Sequence, residues 1–526
     1  MTNVTGLRFH ELGESIMFQP TRGLLVSLGI ALAFATLISR VPLNQTDVWL
    51  HLGFGRQWLE TGKLNASNLT PIAMPEAPGI NSYWLAQRAI SWTWQVGSVA
   101  GIQALHALAI LARLLAMALL LRACGVPDRR LVLVVVVTIG LALGHAPVFR
   151  PQAMAETFAA PLLILVLWPG LMWWPWIVAG ILLGTWGLFH GSFLIGFPLA
   201  TAVAIGQGLQ GNSFKERILP AGRWLAMGVI AIAILTVLHP SGFHALSDAI
   251  DMGRNRAVRL QDEWRPLWTN RSIIPMMLWA ASVAWWAWAM AVACRNEKIP
   301  WSCLLPGLIL ALTPLLHQRL LVWWYLSAPI LVARAFRPDF AVQAPITWRA
   351  WAGLAAATTL AIAASGPWAA FAQKLPEREL VAAATPVALA EALAGTIQPL
   401  DANRPTGRVF ASESLGDYLV WRWRPRAPVL LHSHVHLLPP EHYEACLRVK
   451  WALPGWEAQL DQWGVDLVLV EAETHPLLSA KLRQQPGWIV IQDEAGRNDL
   501  NPRARLFVAV RDSSGFRQAL NGVPLR

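Results

Sequence analysis

Residues 22–58 read RGLLVSLGIALAFATLISRVPLNQTDVWLHLGFGRQW, a long apolar run that ends in a polar junction. The run at about 22–41 is long enough to cross a bilayer, which takes roughly 20 mostly apolar residues. No small-x-small cleavage site follows it, so we interpret it as a retained anchor and not as a signal peptide. Asp47 comes next, with His51 four residues later and Trp49 between them. The stretch therefore predicts a membrane helix that is followed directly by a carboxylate and an imidazole.

The rest of the chain repeats the apolar pattern. Of the 526 residues, 55% are hydrophobic and only 14% are charged, whereas a soluble chain carries about a quarter charged residues. Candidate spans lie at about 22–41, 103–122, 131–148, 153–169, 172–189, 191–207, 223–239, 272–294, 302–316, 320–335 and 349–371. We therefore predict a mainly α fold, a polytopic transmembrane bundle of about eleven spans.

The charges of the loops predict the orientation of this bundle. On one side the short loops carry only Lys and Arg, and on the other side acids and bases are mixed. The positive-inside rule makes the basic side cytoplasmic. We expect an integral protein of the inner (plasma) membrane with a cytoplasmic N-terminus. The long loops 42–102 and 240–271 then lie outside, and loops of that length are usually functional.

The net charge of +11 does not indicate a nucleic-acid partner, because the basic residues flank apolar runs and form no run with interleaved aromatics. Most of the 29 tryptophans fit an interfacial belt. Trp49 and Trp58 are expected to be such anchors, setting the depth of Asp47. The four cysteines show neither metal-site spacing nor a disulfide framework.

Two further segments have a character of their own. Residues 86–105 have apolar and aromatic residues at helical spacing and predict a helix lying in the membrane interface. After about residue 373 the charge rises and short β-type runs alternate with helical stretches. We predict that 1–373 is the transmembrane domain and 374–526 a small extracytoplasmic α/β domain, with a largely parallel sheet. Its strands are expected at 408–412, 417–421, 428–432, 465–472, 487–493 and 505–511.

Hydrogen-bonding or charged residues occur at every predicted outer junction of the bundle. Ionisable groups near a membrane are costly and usually mark function. They are Asp47 and His51, Arg150 with Gln152, His190, His239, Glu263, and His317 with Arg319. Each alone fits a helix cap or a snorkelling side chain, but together on one face they favour a polar cavity. Arginines and histidines around one or two carboxylates suit a phosphate ligand. A cavity at the bilayer surface suits a substrate with a polar head and a lipid tail.

The motif Asp47-x-Trp49-x-His51-Leu52-x-x-Gly55 and the layout around it resemble the polytopic glycosyltransferases of the GT-C superfamily. The likeness is greatest to an uncharacterised bacterial group related to the dolichyl-phosphate-mannose-type mannosyltransferases and to the lipid A aminoarabinose transferases. Further matches to that group are Arg150-Pro151-Gln152, His190-Gly191-Ser192, Pro240-x-Gly242, Glu263-Trp264 and Gly416-Asp417-Tyr418-Leu419. Where the relatives have Glu-Trp-Leu in the first loop, this chain has Tyr83-Trp84-Leu85.

The resemblance implies transfer of a sugar from a polyprenyl-phosphate donor to a glycan, lipid or protein acceptor on the outer face of the membrane. Asp47 would be the general base or a ligand of a divalent cation, Mg²⁺ or Mn²⁺. His51 and Glu263, the second acid, would also be catalytic. The donor phosphate would be bound by basic and polar side chains, namely Arg150, Gln152, His190, His239, His317 and Arg319.

Two other functions are compatible with the sequence. A transporter or flippase of a lipid-linked glycan or anionic substrate would also need a polar site. Transporters commonly place it at the midplane between repeats, however, and no internal repeat is present. A non-catalytic membrane scaffold with a partner-binding outer domain is the second alternative.

Overall fold

The computed structural model describes residues 21–43, 47–64, 66–70, 72, 82–168, 172–270, 272–296, 299–336, 348–397, 407–494 and 505–521. Residues 1–20, whose cytoplasmic location is predicted above, lie outside these ranges. So do a few residues at the predicted span ends and parts of the two long segments 42–102 and 374–526.

Each of the eleven apolar runs forms a helix or a pair of helices. Their bounds are Arg22–Ser39, Trp84–Ala123, Asp128–Ala142, Pro151–Val166, Trp174–Phe189, Gly196–Gln210 after a 3₁₀ turn at Gly191–Ile195, Phe214–Leu238, Ile273–Asn296, Trp301–Leu312, Leu321–Ala335, and the pair Trp348–Ala363 and Gly366–Gln373. Within the described ranges, five helices are long and apolar enough to cross a membrane, or six if the pair bent by 50° counts as one span. The chain is thus an integral membrane protein, while the count of eleven spans stays a prediction.

The predicted interface helix at 86–105 is divided by a kink at residues 97 and 98. It is the first part of the 40-residue helix Trp84–Ala123, which continues into the second apolar run. The helix breaks at Gly97 (φ −145°, ψ 16°) and Ser98 (φ 51°, ψ −137°). A residue at positive φ cannot continue an α-helix, so the two parts point in different directions although they are one segment.

In the part of the long loops that the structure describes, the other helices are short and lie beside the polar junctions. In the first loop they are Val48–Thr61 and Ala66–Leu69. In the second they are His244–Arg254 and Arg256–Leu260, with 3₁₀ turns at Asp262–Trp264 and Leu267–Thr269. Two more 3₁₀ turns, Thr313–Leu315 and Gln318–Leu320, precede the helix Leu321–Ala335.

The C-terminal region contains a four-stranded sheet flanked by helices. The strands are β1 (Arg408–Ala411), β2 (Val465–Glu471), β3 (Trp488–Asp493) and β4 (Leu506–Arg511), in the order β1-β2-β4-β3. The helices are Glu377–Leu380, Val387–Leu393, Glu413–Arg422, Pro440–Lys450, Trp456–Trp463, Pro476–Leu482 and Gly515–Leu520, with a 3₁₀ turn at Val435–Leu437.

The sheet differs from the predicted one in topology and in two elements. Only β1 and β2 are parallel, while β4 runs antiparallel to both β2 and β3. The expected strand at 417–421 belongs to the helix Glu413–Arg422, and 428–432 makes only an isolated bridge, at Val429. Residues 415–421 are buried on all sides, and a run buried all round has no period that separates helix from strand.

The C-terminal region packs onto the first outer loop. Trp49 is 1% exposed and meets the ring of Tyr418 edge-on at 5.0 Å and that of Trp94 at 5.8 Å. Trp49 is therefore a core residue between the two regions and not the interfacial anchor predicted above. One hydrophobic cluster holds residues from both sides of position 373, so the predicted domains share a core. The helix that begins after Asp47 is fixed between them.

Candidate functional site at the bundle end

A cavity of about 300 Å³ opens between the two outer loops and the C-terminal region. Its lining includes seven of the nine site residues predicted from the sequence, namely Asp47, His51, Arg150, Gln152, His190, Glu263 and Arg319. His239 and His317 are not among the lining residues. The junctions of five different helices therefore do meet in one place.

Glu263 is held between two arginines in this cavity. Arg150 Nη1 donates to its Oε2 at 3.0 Å, and Arg319 Nη1 donates to its Oε1 at 3.1 Å. Burial alone would raise the pKa of Glu263, but the two guanidiniums outweigh burial and lower it to about 2. Glu263 is thus ionised at any physiological pH, and its two oxygens occupy the position of an anion between the arginines.

Asp47 makes fewer hydrogen bonds to the described residues than Glu263 does. It precedes the helix Val48–Thr61 but makes no side-chain cap hydrogen bond to it. Its Oδ2 lies 3.9 Å from Arg150 Nε, and its Oδ1 is buried with no hydrogen-bond partner among the described residues. Burial raises the pKa of Asp47 above its usual value, against the pull of Arg150. A carboxylate with an open lone pair and a raised pKa is well suited to accept a proton.

His190 presents a hydrogen-bond donor beside Arg319. Its Nδ1 accepts from the backbone N–H of Ser192 at 2.9 Å, so in the neutral ring the proton is on Nε2. Burial lowers the pKa of His190 well below its usual value, which keeps the ring neutral. Nε2 lies 3.5 Å from Arg319 Nη2. Two N–H groups that come this close point to a shared acceptor, such as an anionic oxygen.

His51 joins the first loop to the C-terminal region. Its Nδ1 lies 3.3 Å from Gln87 Nε2 and 3.4 Å from His434 Nε2. Its ring also meets that of Tyr83 edge-on, at 4.8 Å. Burial lowers the pKa of His51 well below its usual value, so it is neutral here. Tyr83, which stands where the resembling group has a glutamate, lines the same cavity.

His239 and His317 contact the backbone of the loops around the cavity. His317 Nδ1 lies 2.6 Å from the backbone oxygen of Trp264, the residue after Glu263. His239 Nδ1 accepts from the backbone N–H of Ser241 at 3.1 Å, and its ring meets Trp84 edge-on. In this arrangement His317 supports the turn that carries Glu263, and His239 supports the bend after the helix Phe214–Leu238.

Sequence reasoning missed the part of the site that the C-terminal region supplies. The lining residues from there include Glu413, Ser433, His434, His436, Tyr443 and Lys450. The signal was present in HSHVH at 432–436, where histidines alternate, but the segment before it was interpreted as a strand. Asp417 holds this turn, since it accepts from the backbone N–H of Ser433 at 2.8 Å and from its Oγ at 2.6 Å.

The cavity does not fit the predicted Mg²⁺ or Mn²⁺ ion. Within the described ranges no group of three or more His, Cys, Asp or Glu side chains is arranged to hold a metal. Both oxygens of Glu263 are taken by guanidiniums, and Arg150 also lies close to Asp47. The guanidiniums thus occupy the oxygens of Glu263 that a divalent cation would need as ligands.

At the level of sequence, no family model and no curated protein matches the chain. Solved structures do match. The archaeal oligosaccharyltransferase AglB from Archaeoglobus fulgidus, in complex with an inhibitory peptide and a dolichol-phosphate, aligns with a TM-score of 0.56 at 12% identity, over 86% of this chain and 70% of that one. The same enzyme in complex with Zn and sulfate gives 0.50 at 15% identity, over 87% and 70%.

ArnT from Cupriavidus metallidurans, bound to undecaprenyl phosphate, aligns with a TM-score of 0.47 at 14% identity, over 93% of this chain and 98% of that one. The identities to AglB are low, so the likeness concerns the fold and not the activity. The likeness to AglB confirms the general expectation at the level of fold: the chain has a fold similar to that of this membrane oligosaccharyltransferase.

Proposed function

We propose that the protein is a membrane glycosyltransferase that moves a sugar from a polyprenyl-phosphate donor to an acceptor on the outer face of the membrane. The observation that carries the proposal is the pairing of Arg150 and Arg319 on Glu263 next to the open carboxylate of Asp47. The orientation of the bundle and the kinship with the uncharacterised bacterial group are parts of the same proposal. They rest on the loop charges and on the Asp47-x-Trp49-x-His51 motif.

The donor phosphate would bind to the two arginines. Guanidinium groups bind phosphate oxygens in a bidentate manner, and a phosphate entering the cavity would share or replace the contacts that Glu263 now makes. The Nε2–H of His190, beside Arg319, would donate to the same phosphate. Gln152 lines the cavity near Arg150 and would supply a further amide donor. The archaeal AglB structure, which is similar in fold, is in complex with a dolichol-phosphate, which fits such a ligand.

Asp47 would be the general base. Its Oδ1 would take the proton of the acceptor hydroxyl as the acceptor oxygen bonds to the anomeric carbon of the sugar. The bond from that carbon to the phosphate oxygen breaks, and the phosphate leaves with the electron pair. Arg150 and Arg319 would stabilise the charge that develops on it.

The proposal is tested with the purified protein in lipid nanodiscs and a radiolabelled polyprenyl-phosphate sugar. Asp47→Asn keeps the shape of the side chain and removes the base, so transfer should fall by about 10²- to 10⁴-fold. Asp251→Asn, on an exposed side chain outside the cavity, is the matched control and should keep wild-type transfer. Transfer at the wild-type rate in Asp47→Asn would sink the assignment. Uptake of labelled lipid without a covalent product would favour the flippase instead.

A further inference from the structure

A second cavity, of about 440 Å³, lies on the C-terminal side of the first. Asp262, Glu413, Lys450 and Trp451 line both cavities, so the two share one wall. The second cavity sits at the carboxyl ends of the parallel strands β1 and β2, where Ser412 and Glu471 lie. Ligands of α/β sheets commonly bind at this edge.

The charge of the second cavity differs from that of the first. Its lining has three carboxylates, those of Asp262, Glu413 and Glu471, and one ammonium, that of Lys450. Lys450 Nζ is already bonded to both oxygens of Glu413, at 2.8 and 3.0 Å. No arginine belongs to the lining. An anionic ligand would therefore be repelled here, whereas an uncharged or cationic one would not.

His475 offers an open hydrogen-bond acceptor at this cavity. The residue is 4% exposed, and its Nδ1 lies 3.2 Å from the backbone oxygen of Glu471 and 2.8 Å from Thr474 Oγ1. Nε2 is buried and has no hydrogen-bond partner among the described residues. Burial lowers the pKa of His475 against the pull of Glu471, so the ring is neutral. With the proton on Nδ1, donating to the Glu471 oxygen, Nε2 is a buried acceptor that needs a donor from a ligand.

The other lining groups suit a hydroxyl-rich ligand. Ser412, Ser414 and Thr474 contribute hydroxyls, and Ser414 donates to Glu471 Oε1, which fixes that carboxylate. The ring of Trp451 supplies an apolar face on the shared wall. Hydroxyl and carboxylate groups next to an aromatic face can meet both surfaces of a sugar ring, its O–H groups and its C–H face.

We propose that the second cavity is the acceptor subsite and that it binds an uncharged glycan. The inference deepens the proposed function and rests on it for the role of the ligand. A glycan seated against Trp451 and His475 would extend one hydroxyl past the shared wall into the first cavity. Asp47 would take the proton of this hydroxyl there, as the new glycosidic bond forms and the lipid phosphate leaves.

Direct binding tests the inference without relying on turnover. Full-length protein in nanodiscs is titrated with neutral trisaccharides built of glucose, galactose, mannose or N-acetylglucosamine. Parallel titrations use a glucosamine trisaccharide, which is cationic, and undecaprenyl phosphate. His475→Ala removes the open acceptor, and Trp451→Ala removes the aromatic face. His244→Ala, on an exposed histidine outside both cavities, is the matched control. Thermal unfolding of each variant shows whether it is folded, and Trp451→Ala replaces His475→Ala if the latter is not.

We expect at least one neutral trisaccharide to bind the wild type and His244→Ala equally, and the cavity variants about tenfold more weakly. Undecaprenyl phosphate should bind His475→Ala and His244→Ala as it binds the wild type, because neither residue lines the first cavity. Neutral glycans that fail to bind, whether or not the cationic one binds, or that bind folded cavity variants with wild-type affinity would overturn the inference. If the wild type binds glycans but not undecaprenyl phosphate, the proposed function fails and the glycan site stands.

Discussion

Arg150 and Glu263 are separated by 113 residues of chain, yet Arg150 Nη1 donates to Glu263 Oε2 at 3.0 Å. The contact ties the junction before the helix Pro151–Val166 to the second outer loop. With Arg319 on its other oxygen, Glu263 neutralises part of the positive charge that a phosphate would meet. Glu263 therefore holds the arginines in place and also competes with the ligand for them. Removing its charge should strengthen phosphate binding and slow turnover.

Glu263→Gln should separate these roles. The amide keeps the size of the side chain but removes its charge, so the arginines attract an added phosphate more strongly. We expect the affinity for undecaprenyl phosphate to rise by about threefold or more. Sugar transfer should become slower because the arginines lose their fixed geometry. Binding is measured by titration of nanodiscs and transfer by the radiolabel assay. Weaker phosphate binding in the variant would mean that Glu263 acts only as a support.

Arg319→Gln should act in the reverse direction. It removes a cationic donor that reaches Glu263 and lies close to His190, so undecaprenyl phosphate should bind about tenfold more weakly. Arg254→Gln, on an exposed arginine that lines neither cavity, should bind as the wild type does. Equal affinities of Arg319→Gln and Arg254→Gln would remove Arg319 from the phosphate site.

The pH dependence of transfer should report Asp47. The base must be deprotonated, so the rate falls as the pH drops through its pKa. Because burial raises the pKa of Asp47, this acid limb should lie above pH 3.8, the usual value for an aspartate. Glu263, with a pKa of about 2, does not contribute in that range. The residual rate of Asp47→Asn should lack the limb, and a limb that persists unchanged in this variant would assign it to another group.

The contribution of Asp417 to the free energy of unfolding should come from the size and hydrogen bonds of its side chain and not from its charge. It is fully buried, and burial raises its pKa well above the usual value despite the two hydrogen bonds from Ser433. A raised folded-state pKa makes the carboxylate destabilising as the pH rises through that value, and Asn cannot ionise. Asp417→Asn should therefore unfold near the wild-type temperature at pH 7. Asp417→Ala, which leaves the backbone N–H of Ser433 without the acceptor that Asp417 provides, should lose about 1–3 kcal/mol. Thermal unfolding in nanodiscs compares the two, and a larger loss in Asn than in Ala would contradict this account.

The helical bundle could be predicted from the sequence. In a membrane every backbone polar group must be hydrogen-bonded within its own segment, so long apolar runs form helices. The polar residues at the helix junctions could also be predicted to belong to a site. A charged group near the membrane is costly and therefore usually marks function. The C-terminal contribution could not be predicted. His434 reaches His51 across 383 residues, and β2 pairs with β4 across about 40 residues, so no local pattern specifies either contact. Trp49 was misplaced because an interfacial and a core tryptophan look the same in a sequence.

Gly55, part of the first motif, now has a physical reason to be glycine. A Cβ at this position would lie 2.0 Å from the backbone oxygen of Gln87, so the helix Val48–Thr61 packs directly on the helix Trp84–Ala123. Gly55→Ala must push the two helices apart, and backbone atoms cannot move aside as a flexible side chain can. Asp47, at the start of the displaced helix, would shift away from Arg150.

We therefore expect Gly55→Ala to lower the unfolding temperature by several degrees, consistent with an overpacking cost of about 1–3 kcal/mol, and to slow sugar transfer. Gly140→Ala is the matched control, because it is an exposed helical glycine with nothing within 4 Å of an added Cβ. There alanine should be neutral or stabilise by up to about 1 kcal/mol. Thermal unfolding and the radiolabel assay on both variants decide the matter. If Gly55→Ala behaves like Gly140→Ala in both measurements, close contact of these two helices does not position Asp47.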